Sequence, residues 1–557
     1  MTVLLARRVG GAGRPGWSLL VLLVAAAVAS PVVGVSGYAV AQGGVRAPGG
    51  TGAMIVTTAV LLGLVAAGTA VLGTGLAWLV TAYDFPLRRT LGWLLVLPLA
   101  MPAYILGFVY LSTFDYAGPV QTWLRSVLGD DLGIGVSGIP VRSIGGAAVV
   151  LVLTLYPYVY LMTRAALAET APTAHDAARS LGAGPGRAFR TVLLPLVRPS
   201  LAAGLALVMM ETLTDFATVQ YFGVRTLSVG VYLAWKGSFD VGSAIAVAIL
   251  VLVAAVVVLA VERLLRGRAR YSQRGGRGRG LAERRLTGLR AAAATGTALL
   301  VVALAFGLPV LRLGAWAAAA LADDPGALVD ERFVDHLGSS VSVAAVVAGT
   351  CVLVSLLMAH ALRLGGGRVV RGAAQVTTFG YAVPGAVVGI GVLVVFQAAN
   401  DALVALGAEG GTGLLATGSV LGVLAAYVVR FTGPAYQAVD ASFSRVPPTV
   451  TQSALALGAG PTRLLSRVHL PLVRPGVAVA FTLVVVDAVK ELPLVLLLRP
   501  FGFTTLSVWV YELASENFWE RAALPALLIV ALALALVPVA LLNRSSRPVD
   551  PMARVGG

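Results

Sequence analysis

Twelve stretches of about twenty apolar residues run the length of the chain, approximately 17–38, 53–82, 91–113, 144–167, 200–221, 241–264, 291–320, 339–362, 373–398, 414–433, 476–498 and 522–543. Each is long enough to cross the ~30 Å hydrocarbon core of a bilayer as a helix. Composition agrees: 58% of the 557 residues are hydrophobic and 12% are charged, where a soluble domain carries about 25% charged residues. High apolar content excludes disorder, the absence of a strict Gly triplet excludes collagen, and the solitary Cys351 excludes a disulfide scaffold. The fold class is therefore an all-α polytopic membrane protein. Arg7, Arg8 and Arg14 precede the first stretch as in a secretory leader, but its length and the lack of a clean cleavage site followed by a polar domain indicate a retained span.

Charge sets the expected orientation. Arg88 and Arg89; Arg179, Arg187, Arg190 and Arg198; the ten arginines from Arg263 to Arg290; Arg363, Arg368 and Arg371; and Arg445, Arg463, Arg467 and Arg474 all fall in alternate connections. The connections between carry Asp130, Asp131, Asp323, Asp324, Asp330, Glu331, Asp335, Asp401, Glu409, Glu512, Glu516 and Glu520. Basic loops stay in the cytoplasm, so both termini are expected there. The net charge of +16 thus reflects membrane topology and not nucleic-acid binding, because the basic residues are scattered between apolar spans.

The chain is also duplicated. Leu181–Pro199 reads LGAGPGRAFRTVLLPLVRP and Leu457–Pro475 reads LGAGPTRLLSRVHLPLVRP, an offset of 276 residues. Phe222-Gly223 and Thr226–Val229 match Phe501-Gly502 and Thr505–Val508 at an offset of 279, and Pro102 and Pro384 occupy comparable helices. Six spans per half make the two copies parallel, related by a pseudo-twofold axis along the membrane normal. The expected division is 1–49, a cytoplasmic tail and first span; 50–265, the first repeated domain; 266–290, an Arg/Gly-rich cytoplasmic linker; 291–334, the seventh span and an acidic external loop; 335–545, the second repeated domain; and 546–557, a cytoplasmic tail.

Such a pair of bundles encloses a central pathway. No His-x-x-x-His pair and no supported Gly-x-Ser-x-Gly occur, and His175, His336, His360 and His469 are dispersed in sequence. No Gly-x-x-x-x-Gly-Lys-Ser/Thr loop occurs either, so ATP hydrolysis would belong to another chain. The repeated segment lies on the basic side. Asp176–Leu181 forms helix, Gly182-Ala183-Gly184 permits a reversal, and Pro185 suits the start of a new helix. That short amphipathic helix, carrying Phe189, Val192, Leu193 and Leu194, is expected to lie outside the membrane and to stop at Pro195 and Pro199.

The pattern resembles the EAA loop of inner-membrane permeases of binding-protein-dependent ABC importers. Asp176-Ala177-Ala178, Gly182, Gly184, Pro185, Val192, Leu194 and Pro195 match in the first half. Gln452-Ser453-Ala454, Gly458, Gly460, Pro461, Val468, Leu470 and Pro471 match in the second, where the triplet has become QSA. The resemblance implies two type I (MetI-like) permease domains in one multi-pass protein of a bacterial plasma or inner membrane. It also implies two copies of an ATP-binding subunit, which hold the ATP and Mg2+, on the cytoplasmic loops, and an extracytoplasmic substrate-binding protein or lipoprotein opposite. No cofactor is expected on the chain itself.

Met210–Asp240 and Asp487–Glu520, above all Lys490–Pro493 with the following Leu-Arg-Pro-Phe-Gly-Phe, are similar to fused permeases of ferric-iron importers. Thiamine and aminoalkylphosphonate permeases share much of this, and an ion-coupled secondary transporter is a further alternative. Glu211 and Asp215 lie four residues apart in the fifth span, as do Asp487 and Glu491 in the eleventh. Carboxylates at membrane depth cost a few kcal/mol each and mark function. Four of them near the axis would offer hard oxygen contacts to a passing trivalent cation. Alternatively, Asp487 or Glu491 pairs with Lys490, or Glu211 with a polar neighbour, and locks helices together. Tyr221, Tyr232 and Tyr511 could donate phenolate-like oxygens, but aromatics at membrane interfaces usually anchor, and they read as anchors.

Overall fold

Backbone polar groups in hydrocarbon must find partners within their own segment, so the apolar stretches become helices. The computed structural model describes residues 15–128, 140–238, 240–266, 284–323, 326, 329–408 and 418–542. The chain ends, Asp130, Asp131, Asp324, Glu409 and residues 267–280 of the Arg/Gly tract lie outside the described residues. Among the described residues nine helices are long and apolar enough to cross a membrane, and a bent pair, Arg88–Ala100 with Ala103–Val127, fills a tenth place. The helices Val420–Phe443 and Trp519–Leu542, of 24 residues each, occupy the remaining two expected stretches. Among the described residues the one strand pairing is a two-residue parallel ladder of Tyr83-Asp84 with Arg284-Arg285.

The duplication extends to the elements. Ile144–Ser180 and Val420–Phe443 start 276 residues apart, and Leu194–Thr214 and Leu470–Lys490 match at both ends. Inside each half, small residues let backbones approach, as membrane packing requires. Gly73 of Thr51–Ala82 lies against Ile144–Ser180, where a Cβ would come 2.8 Å from Val159 and 2.9 Å from the Tyr156 carbonyl.

The halves also exchange helices. Pro15–Ala41 packs on Gly385–Ala405 of the second half, where an added Cβ at Gly34 would meet Val395 at 2.8 Å and Gly391 touches Pro31. Gly288–Val302 and Leu308–Asp323 lean on the first half: Thr295 donates to the Pro86 carbonyl (3.2 Å), Tyr110 to that of Leu304 (3.1 Å), and Phe108 stacks with Trp316.

Four expected helices are broken. The stretches 91–113 and 373–398 each divide at a proline: Pro102 and Pro384 are extended (φ −58°, ψ 140° and φ −55°, ψ 138°) and start the helices Ala103–Phe114 and Gly385–Ala405. Proline cannot donate to the preceding turn and disfavours helix before it, so two chemically equivalent elbows result. The stretch 200–221 ends its helix at Thr214 and resumes at Ala217, and 476–498 behaves alike around Glu491.

Pro195 and Pro199, in contrast, stop nothing. From Gly186 to Thr214, and from Pro461 to Lys490, one helix runs through. A wide π-type turn precedes each proline pair, Phe189–Leu193 and Leu465–His469, with Leu194 N–H reaching the Phe189 carbonyl and Leu470 N–H that of Leu465. The widened turn makes room for a ring that a regular turn would reject. The separate short helix instead precedes the glycine turn: Pro448–Ala456 in the second half, and the last turns of Ile144–Ser180 in the first.

Candidate functional site

The broken helices point at a common cavity. Asp215 takes an extended conformation (φ −63°, ψ 128°) at the end of Leu194–Thr214, and Glu491 does the same (φ −68°, ψ 124°) after Leu470–Lys490. Each acid therefore sits at the break, not on a continuing helical face as its spacing from Glu211 or Asp487 implied. Each then caps the next segment: Asp215 accepts from Val219 N–H (3.2 Å) and the Thr218 hydroxyl (2.7 Å), and Glu491 accepts from Leu494 N–H (3.4 Å). A carboxylate at a helix start gains from the exposed N–H groups and the dipole.

The same hydroxyls hold both breaks. Ser228 donates to the Asp215 carbonyl (2.6 Å) and Ser507 to that of Glu491 (2.8 Å). Leu227 N–H reaches Thr58 Oγ1 (3.0 Å), and Leu506 N–H reaches Ser340 Oγ (2.7 Å). The repeated Thr-Leu-Ser-Val thus pins the unwound backbone, satisfying groups that hydrocarbon would leave orphaned.

Glu211, Asp215, Asp487 and Glu491 all line one cavity of about 130 Å³, with Tyr104, Thr154, Tyr158, Thr214, Tyr381, Arg430 and Lys490. Both alternatives for the acids are realised in part. Lys490 pairs with Asp487 at 2.9 Å, and Arg430 Nε lies 3.5 Å from Glu491. Glu211 accepts from the Tyr381 hydroxyl at 3.2 Å. Among the described residues no three His, Cys, Asp or Glu side chains are grouped to hold a metal ion, so the acids form a charged lining rather than a preformed ligand shell. Four carboxylates against two cations leave the lining with a formal charge of about −2. A second cavity shares Glu211, Thr214, Tyr381 and Arg430 with the first and continues to Glu262 and Arg266, which form an ion pair.

The glycine turns close the two repeated loops. Gly182 (φ +83°) and Gly458 (φ +80°) are left-handed, as only glycine readily allows. Ala183 N–H returns to the Ala178 carbonyl and Ala459 N–H to that of Ala454, both 3.0 Å, the double reversal that ends a helix at a C′ glycine. Gly460 (φ −69°, ψ 163°) precedes Pro461 in ordinary extended geometry. Ahead of each turn, Leu181 and Leu457 are both 89% exposed. Ala178 is buried, Leu194 half-buried and Leu470 half-buried. The side chains of Asp176, Ala177 and Pro185 lie outside the described part, although their backbone is helical. Gly184 completes the first turn, while Pro195 and Pro471 lie inside the continuous helices Gly186–Thr214 and Pro461–Lys490.

Several residues escaped the sequence reading. Arg430 interrupts the stretch 414–433, and a guanidinium at membrane depth was itself the signal. His360 and His469, 109 residues apart, meet with their Nδ1 atoms 2.9 Å apart, and His469 Nε2 contacts Thr451 of Pro448–Ala456 at 3.0 Å. Tyr221 and Tyr511 are buried between the halves, Tyr221 donating to the Tyr511 carbonyl (3.3 Å), instead of anchoring at an interface.

Comparison with known proteins agrees with this twofold layout. The family model described as the inner membrane component of binding-protein-dependent transport systems matches twice, at residues 59–271 and 351–552. The chain is 24% identical over 480 residues to the Fe(3+)-transport system permease protein FbpB 2 of Haemophilus influenzae, covering 86% of this chain and 87% of that protein. It is 31% identical over 201 residues to the sulfate transport system permease protein CysT of Escherichia coli, covering 34% of this chain and 67% of that protein. The sulfate permease CysW of the same organism is 29% identical over 204 residues.

Proposed function

Because this chain belongs to the inner membrane components of binding-protein-dependent transport systems, with two permease domains fused in one multi-pass membrane protein, we propose that it is the conduit of an ATP-driven importer for ferric iron. The charge of the central cavity carries this reading. Its formal −2 attracts a hard, oxygen-seeking cation. It repels a sulfate dianion by about 3 kcal/mol for each pair of like unit charges ~5 Å apart at an effective dielectric of ~20. The similarity to an Fe(3+) permease along most of both chains points the same way.

Power comes from outside the chain. Two copies of an ATP-binding subunit seat on the turns at Leu181–Gly184 and Leu457–Gly460, with the two exposed leucines as apolar knobs. Both termini and both turns face the cytoplasm, and a substrate-binding protein or lipoprotein delivers cargo to the opposite face. Closure of the ATPases pulls on the helices Gly186–Thr214 and Pro461–Lys490. Those rigid rods end at Asp215 and Glu491, so a displacement at the loops arrives directly at the cavity lining.

Uptake of radiolabelled iron and of radiolabelled sulfate by a deletion strain, with and without this chain, tests the reading. Chain-dependent accumulation of iron is expected. Chain-dependent accumulation of sulfate, with none of iron, would reverse the assignment of cargo and leave the machine intact.

A further inference from the structure

The cavity is symmetric in its acids and asymmetric in everything that surrounds them. Where the second half places Arg430 and Lys490, the equivalent residues of the first half, 276 positions earlier, are Thr154 and Thr214, and all four line the cavity. The second-half acids are therefore occupied: Asp487 by Lys490 and Glu491 by Arg430. Among the described residues no Lys or Arg forms an ion pair with Glu211 or Asp215, whose polar contacts are the hydroxyls of Tyr381 and Thr218 and the N–H of Val219. The carboxylates left without an ion pair are thus those of the first half, and Arg430 and Lys490 act on Glu211 only at longer range.

A second observation concerns a first-half residue that lines the same cavity. Tyr104, two residues after the elbow at Pro102, is 5% exposed, lines the cavity, and its hydroxyl has no hydrogen-bond partner. A buried phenol without a partner is costly unless something occupies the space before it. The corresponding residue after Pro384 is Ala386, which offers no donor atom.

We propose that the cation-receiving face of the cavity is built by the first half alone, from the carboxylates of Glu211 and Asp215 with the hydroxyl oxygen of Tyr104. Asp487 and Glu491 serve as counter-charges for Lys490 and Arg430. The inference rests on the reading of the cargo as a hard cation and adds which half binds it. Two carboxylates and one neutral oxygen make a weak site for such an ion, as conduction requires: strong enough to attract, too sparse to retain. Thr154 contributes neutrality and not a ligand, since its hydroxyl donates to the Val150 carbonyl of its own helix at 3.0 Å. A cation at that position would give the first half the same internal neutralisation as the second.

The test uses the assembled importer in cells, with radiolabelled iron as the probe and the membrane level of the complex measured in parallel. Thr154→Arg should lower the initial uptake rate at least about tenfold, while Thr154→Val stays within about twofold of wild type. Glu211→Gln should cost more than the paired change Asp487→Asn with Lys490→Gln, which removes one charge of each sign. Tyr104→Phe, which removes only the oxygen, should raise the iron concentration needed for half-maximal uptake. Normal uptake by Thr154→Arg at wild-type levels of complex, or a larger loss from the paired second-half change than from Glu211→Gln, overturns the one-sided site. Absence of iron uptake by the wild-type importer is a separate result: it refutes the cargo, and this site with it.

Discussion

Replacing Gly458 by valine tests the docking turn at a single backbone torsion. Gly458 is left-handed at φ +80°, and a Cβ added there would meet nothing within 4 Å, so the substitution causes no clash. What it does cost is conformational: a non-glycine residue in this region is disfavoured by about 1–2 kcal/mol, and more for a β-branched side chain. An undocked loop relaxes to another φ, whereas a docked loop must keep the reversal that returns Gly458 N–H to the Leu455 carbonyl and Ala459 N–H to that of Ala454. The penalty therefore appears in docking, as an affinity for the ATP-binding subunit about 5–30-fold weaker. Gly182→Val should behave alike, and the two separate turns should add. Gly460→Ala is the discriminating comparison, because φ −69° and ψ 163° suit any residue and its Cβ would also meet nothing within 4 Å. Titration of the purified ATPase onto the permease in lipid nanodiscs measures all four. Wild-type affinity in Gly458→Val, or equal damage from Gly460→Ala, would refute the argument from backbone conformation.

Three further outcomes follow from packing. Arg430→Leu leaves Glu491 buried without its counter-charge and should destabilise the protein by about 3–5 kcal/mol, with the double change Arg430→Leu/Glu491→Leu recovering most of the loss, as read by thermal unfolding in detergent. Gly391→Leu forces a side chain into Pro31 and should cost about 1–3 kcal/mol; faster proteolysis of the first helix, with the remaining spans still protected, is the expected sign. His469→Phe removes the contact with Thr451 and should loosen Pro448–Ala456 by about 1–3 kcal/mol, seen as faster hydrogen exchange in that helix alone.

Much of this architecture is legible in the sequence, because membrane helices and duplications announce themselves in composition and offset. Both glycine turns fall where the repeat put them, whereas Asp215 and Glu491 leave the helical face that their spacing from Glu211 and Asp487 implied and stand at the breaks. The misreadings share a cause: a hydropathy window registers length and apolarity and is blind to backbone direction. It therefore ran through the elbows at Pro102 and Pro384 and through the breaks at Asp215 and Glu491. Pro195 and Pro199 misled in the opposite sense, since their effect depends on the turn before them, and a π-type turn is invisible in residue type. The His360–His469 contact and the packing of Pro15–Ala41 on the second half are long-range, and no local pattern encodes them. Arg430 was visible all along as a charge inside an apolar stretch.

The central claim is that two equivalent inward-facing turns join this conduit to its motor. Cysteines introduced by Leu181→Cys and Leu457→Cys suit a direct measurement, because both positions are 89% exposed and the native Cys351 is buried. In sealed vesicles carrying the whole importer, a photoactivatable cross-linker attached to each introduced cysteine should insert into the ATP-binding subunit, and a membrane-impermeant maleimide should reach the cysteines from the cytoplasmic side only. Labelling from the external side, or linkage to the substrate-binding protein instead, would contradict the account.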